Sequence, residues 1–145
     1  MITHSIEIER SPEDVFAYLD DLERHSEWQP RILSTQVETE GPVRVGTRVR
    51  EHRRIGGRNQ DTSYEITQHE PPRRSSFRGI AGLIRPLGTV TLEPLEGGSR
   101  TRLTLEFDLL GHGIGKLFAP LARKQAHRDI EQSQERLKAR LESGA

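Results

Sequence analysis

The last stretch of the chain, Ile114 to Leu141 (IGKLFAPLARKQAHRDIEQSQERLKARL), decides the fold. Ala119, Ala122, Ala126, Ile130, Leu137 and Leu141 recur at steps of three, four or seven, the spacing of one buried face of an amphipathic helix. Lys124, Arg128, Glu131, Glu135, Lys138 and Glu142 fill the far side. A helix from Lys116 to Leu141 would be ~39 Å long, longer than most small domains are wide. Everything from Thr47 to Leu109 reads as strands, so the economical architecture is one curved sheet with this helix along its concave face.

Working back from the helix, Thr101 to Leu109 alternates most clearly, with Leu103, Leu105, Phe107 and Leu109 against Arg102, Thr104, Glu106 and Asp108. Gly88 to Glu93 is a strand with Val90 and Leu92 inward, residues 82–86 form an ambiguous connection, and Ser75 to Ala81 is a strand carrying Phe77. Asp61 to Glu70 puts Thr62, Tyr64, Ile66 and Gln68 on one face. Thr47 to Ile55 puts Val49, Glu51, Arg53 and Ile55 on one face and Arg48, Arg50, His52 and Arg54 on the other. Gly56-Gly57 and Gly97-Gly98 are hairpin signals. Ile32 to Glu40 is a weaker strand.

At the start, Ile2, His4, Ile6 and Ile8 alternate with polar residues, the mark of a half-buried strand. Ser11 can cap a first helix, with Pro12 in its first turn and Asp14 favouring its positive end. Leu22 to Glu27 forms a second short helical turn, which Trp28-Gln29-Pro30 breaks. The order is strand, two short helices, six strands, long helix. Hairpin-length connections imply antiparallel neighbours, so the fold class is α+β with about seven strands.

Composition narrows the functions. The 145 residues suit one domain, 1–145. Basic and acidic residues balance at 22 each, against a nucleic-acid binder driven by global charge. With no Cys, disulfides, thiolate metal sites and cysteine catalysis are excluded. None of the histidines (His4, His25, His52, His69, His112 and His127) pairs at the spacing that puts two metal ligands on one helix face. No metal is expected, and no cofactor, since no nucleophile elbow or strand–Gly-rich–helix unit occurs. Met1 to Arg10 holds no signal-peptide apolar run and no segment is long enough to span a membrane, so a cytoplasmic protein is the default. The expected state is a monomer or homodimer.

Three features carry a family resemblance: Ile8 to Phe16 (IERSPEDVF), Trp28-Gln29-Pro30, and Gly46-Thr47-Arg48-Val49 followed by hairpins and the closing helix. On these the chain resembles the polyketide cyclase/dehydrase-like branch of the START/Bet v 1 superfamily, the helix-grip fold. The resemblance spans nearly the whole chain. It implies binding of an apolar or amphipathic small molecule between sheet and helix. Members cyclise polyketides or carry lipids or quinones, so the implied roles are a carrier or binding module, a cyclase or dehydratase, or a docking module for protein or membrane.

Candidate residues come from the inward faces. Glu51 and Arg53 share the face of Val49 and read either as groups that orient a ligand or as a mutual ion pair at the sheet rim. Tyr64, beside Ile66, reads as a donor to a ligand oxygen or as a core tyrosine. Trp28 lines the cavity mouth or packs the short helices on the sheet. Phe77, Val90 and Leu105 complete the strand wall, with Phe118, Ala122 and Ala126 on the helix side. For an enzyme, the candidate acid–base groups are Glu51, Tyr64 and His127, which lies about 100° from Ala126 on the helix. Small residues at Ala119, Ala122, Ala126 and Ser133 predict an internal cavity.

One feature of the helix start conflicts with a simple amphipathic reading. In a straight helix, Ile114, Leu117 and Leu121 project away from the Ala126 stripe, toward solvent. Pro120 in a helix interior would kink it and turn these side chains onto the cavity mouth as a gate. The alternatives are Pro120 in the first turn, with Leu117 and Phe118 under a neighbouring loop, or a dimer contact.

Overall fold

The period-two segments become β1 (Ile2–Ile8), β2 (Ile32–Val37), β3 (Arg48–Ile55), β4 (Arg58–Glu70), β5 (Arg74–Gly79), β6 (Ile84–Leu95) and β7 (Arg100–Gly111). In this computed structural model, which describes residues 1–55 and 58–145, they form one antiparallel sheet in the order β1-β7-β6-β5-β4-β3-β2. The Gly56-Gly57 turn expected from the sequence lies outside the described residues. From β2 to β7 each strand pairs with the next, as the short connections require. β1 instead pairs with β7. The segment between β1 and β2 therefore crosses from one sheet edge to the other.

That crossing is α1 (Pro12–Asp20) and a 3₁₀ turn, Leu22–Glu27. Ser11 caps α1, its hydroxyl accepting from the Asp14 N–H at 3.2 Å, and Pro12 occupies the first turn. The closing helix is α2 (Ala119–Glu142), which at 24 residues spans about 36 Å. Its buried positions are Ala119, Ile130, Ser133, Gln134, Leu137 and Leu141; Ala122 and Ala126, which the sequence places in the same stripe, are only half-buried. Gln134 is satisfied by His4, across on β1.

Two regions differ from the sequence reading. The ambiguous connection at residues 82–86 is largely strand, because β6 starts at Ile84. Pro86 is tolerated there because β5 pairs with β6 only from Leu87 onward, so the missing N–H lies outside that ladder. The helix begins later than Lys116: Gly113–Leu117 is a separate 3₁₀ turn, and Pro120 sits in the first turn of α2. Pro120 therefore does not kink the helix, and the expected gate geometry does not form.

The core divides. One cluster joins Ile8, Val15, Phe16, Tyr18, Leu92 and Leu103 to Leu137 and Leu141 of α2. The other, Leu22, Val49, Tyr64 and Ile66, lies under the short helical turn. Glu27 ties the pieces together, accepting from the Tyr18 hydroxyl at 2.9 Å, Arg24 Nε at 3.1 Å and Arg140 Nη2 at 2.9 Å. Leu141, fully buried, anchors the end of α2. Replacing it with Ala should lower the unfolding free energy by about 2–5 kcal/mol in urea denaturation. Leu117→Ala, at an 80% exposed position, should stay within about 0.5 kcal/mol of the parent.

Candidate functional site

Strand alternation brings the polar candidates to one end of the concave face. On β3, Val49 is fully buried, Glu51 is 3% exposed and Arg53 is half-buried. Thr35 of β2 and Thr62 of β4 stand opposite Glu51, and Tyr64 stands opposite Val49. The short turn above supplies His25, Trp28 and Gln29.

Glu51 and Arg53 do reach each other. Arg53 Nε donates to Glu51 Oε1 at 3.3 Å, and its Nη2 donates to Gln29 Oε1 at 2.8 Å. The pair is thus a mutual ion pair, but its carboxylate is interior rather than at the rim. His25 Nε2 lies 2.8 Å from the Leu19 carbonyl oxygen, which only accepts, so this nitrogen carries a hydrogen. Nδ1 then faces Glu51 Oε2 across 3.8 Å, beyond hydrogen-bond distance.

Burial pushes the Glu51 carboxyl up, but the neighbouring His25 imidazole and Arg53 guanidinium outweigh it and hold it below the usual carboxylate range. Burial, reinforced by the Glu51 charge, pushes the Tyr64 hydroxyl well above its ordinary value. The site thus pairs an ionised acceptor with a neutral O–H donor.

Four buried side-chain polar atoms lack a hydrogen-bond partner among the described residues, and three of them lie here: Trp28 Nε1, Thr35 Oγ1 and Glu51 Oε2. The fourth is Arg100 Nε. Trp28 meets His25 edge-on at 5.1 Å and packs against the Ile8–Leu141 cluster. Leaving such an atom unbonded costs about 1–3 kcal/mol.

Beyond this end the concave face is apolar. The Tyr64 and Phe77 rings are 5.5 Å apart and Phe77 and Phe107 6.3 Å apart, a line of rings across the sheet. Gly88 stands opposite both phenylalanines, and a Cβ there would lie 2.8 Å from Phe77 Cε1. A side chain at 88 would displace the ring. His4, Val90, Leu105 and Phe107 on the sheet, and Ala122 and Ala126 on α2, remain half-buried.

The internal cavity expected between sheet and α2 is not one of the two best-formed clefts; the half-buried positions there form a partly exposed trough. The two best-formed clefts among the described residues, of about 380 and 340 Å³, lie elsewhere. One runs along Asp20, Leu22, Val37 and Val43; the other lies between Arg78, Arg85, Leu110 and His112.

The structure brings Val49, Glu51, Arg53, Tyr64, Ile66 and Phe77 together at or beside the polar end, with Trp28 above. It does not bring His127, whose exposed ring faces Glu131 at 3.5 Å, because 100° of helical rotation carries it off the buried stripe. Phe118 also stands apart, 56% exposed at the helix start. Sequence reasoning missed His25, Gln29, Thr35 and Phe107. Phe107 could have been found from its alternation with Leu103 and Leu105; His25 lies in a 3₁₀ turn, where no periodicity points inward.

The lowered Glu51 carboxyl fixes a pH dependence. The native state holds fewer protons than the unfolded chain between the folded value and the ordinary value of 4.5. Stability therefore rises with pH across that window, and the contribution is lost as pH falls through the folded value. Glu51→Gln should flatten the acid side of the stability–pH curve, measured by urea unfolding from neutral pH down through 4.5 and below it.

Known proteins place this geometry in context. No curated protein matches the sequence. Among solved structures, a START superfamily protein from Mycobacterium smegmatis superposes with a TM-score of 0.82 at 17% identity, covering 99% of this chain and 98% of that one. A protein from Thermus thermophilus gives 0.75 at 24% identity, covering 99% of each chain. The Zhui aromatase/cyclase from a Streptomyces species gives 0.81 at 15% identity, covering 96% of this chain and 91% of that one. At these identities the likeness is one of fold: a seven-stranded antiparallel sheet gripping a C-terminal helix. The sequence itself matches the family described as polyketide cyclase / dehydrase and lipid transport over residues 1–142, and the chain belongs to that family.

Proposed function

We propose that this protein binds an amphipathic small molecule in the trough between sheet and α2, with its polar head at Glu51. The observation that carries this reading is the group of unbonded buried atoms, Trp28 Nε1, Thr35 Oγ1 and Glu51 Oε2. A ligand hydroxyl can donate to Glu51 Oε2 or accept from the Trp28 N–H. Tyr64 supplies a second donor. The apolar body of the ligand would lie along Phe77, Val90, Leu105 and Phe107, facing Ala122 and Ala126.

A cyclase or dehydratase acting in the same trough is the second reading. It is favoured by the neighbouring pair of an ionised carboxylate and a neutral tyrosine, which could take a proton beside a carbonyl and hold the resulting oxyanion. The aromatase/cyclase relative is consistent with it. Against it, the carboxyl of Glu51 is held low, which makes it a weak base near neutral pH. Binding is therefore the preferred role.

Native mass spectrometry of freshly purified protein should reveal a co-purifying small molecule, and an apolar fluorescent probe bearing a phenol should bind at one per chain. Glu51→Gln and Tyr64→Phe should each weaken the probe about tenfold, the worth of one hydrogen bond. Absence of both the co-purifying molecule and probe binding overturns the reading. A loss of turnover by orders of magnitude at unchanged affinity would move the assignment to the enzyme.

A further inference from the structure

The end of the molecule around the start of α2 carries an apolar surface that the fold leaves uncovered. Ile114, Leu117, Phe118 and Leu121 are 65%, 80%, 56% and 71% exposed. Leu83, 52% exposed, belongs to the same surface. The His112 N–H donates to its carbonyl at 2.8 Å, and a Cβ on Gly115 would lie 2.2 Å from that oxygen, so only glycine lets the two loops close together. Patches of this kind on a soluble chain mark an interaction site.

The charge around the patch is one-sided. Residues 109–128 contain Lys116, Arg123, Lys124 and Arg128 and no Asp or Glu. On the adjoining strands Arg78 and Arg85 add two more basic groups, in a chain whose charges balance. Arg78, Arg85 and His112 line the 340 Å³ cleft beside the patch, with Ile80, Leu87 and Leu110 as its apolar wall. Of the acids on this side, Asp108 is bonded to Arg123 at 3.0 Å and Glu65 stands opposite Arg78 in the sheet.

An apolar centre within a basic rim selects its partner. A second copy would bring two basic rims together, whereas an anionic lipid surface satisfies both rim and centre. We propose that this end docks on an anionic phospholipid bilayer. Leu117 and Leu121 enter the boundary between headgroups and acyl chains, and Arg85 and Lys124 face the lipid phosphates. The proposal does not depend on what the trough holds.

Co-sedimentation with vesicles of phosphatidylcholine containing one third phosphatidylglycerol, against phosphatidylcholine alone, tests it. Binding should prefer the anionic vesicles, weaken with added salt and vanish in the double variant Leu117→Glu, Leu121→Glu. Arg85→Gln and Lys124→Gln should each weaken it about fivefold. All variants should melt with the parent. Absent binding, equal binding to both vesicles, or binding untouched by the double substitution overturns the proposal. So does a concentration-dependent mass in solution that the double substitution abolishes, which would make a second copy the cover.

Discussion

A straight helix cannot follow a curved sheet along its whole length, and this mismatch organises the molecule. α2 resolves it by using large side chains at one end only. Leu137 and Leu141 fill the space over Ile8 and Leu103, while Ala122 and Ala126 stay small and half-buried. The C-terminal half of the helix supplies stability through burial. The N-terminal half leaves the trough. Filling that space would favour the fold and remove its site, a common tension between stability and function.

The polar end of the trough follows from the same division. A carboxylate as buried as Glu51 persists only with compensation. Arg53 provides part of it, held in turn by Gln29, and the His25 ring stands 3.8 Å away in the turn above. The compensation is incomplete, since one oxygen has no donor. A carboxylate kept for stability alone would be fully bonded or replaced by a hydrocarbon. The incomplete set is what the proposed ligand would complete.

Much of the fold was legible in the sequence because it rests on period. Alternation set the faces of β3, β4 and β7, and the spacing of Ile130, Leu137 and Leu141 set the buried side of α2. The same parity identified Glu51 and Tyr64. Local signals were weaker where the chain lacks period. Pro86 concealed the beginning of β6, because whether a proline ends a strand depends on which neighbour reaches it. Pro120 suggested a kink that depended on where the helix starts, a boundary its Gly-rich approach leaves undefined. His25 and Gln29 join the site through the path of the chain between opposite sheet edges, which no local pattern encodes.

The junction at Glu27 has a consequence for how the molecule opens. One carboxylate receives Tyr18 from α1, Arg24 from the short turn and Arg140 from the last turns of α2. It sits between His25 and Trp28 in the chain and next to the latter. The turn that supports the polar end of the trough therefore cannot lift away without also releasing the anchored end of the helix. The two form a single cooperative unit rather than a loose lid over a rigid scaffold. The start of α2, at the opposite end, is where its side chains hold it least, with Leu117 and Leu121 exposed.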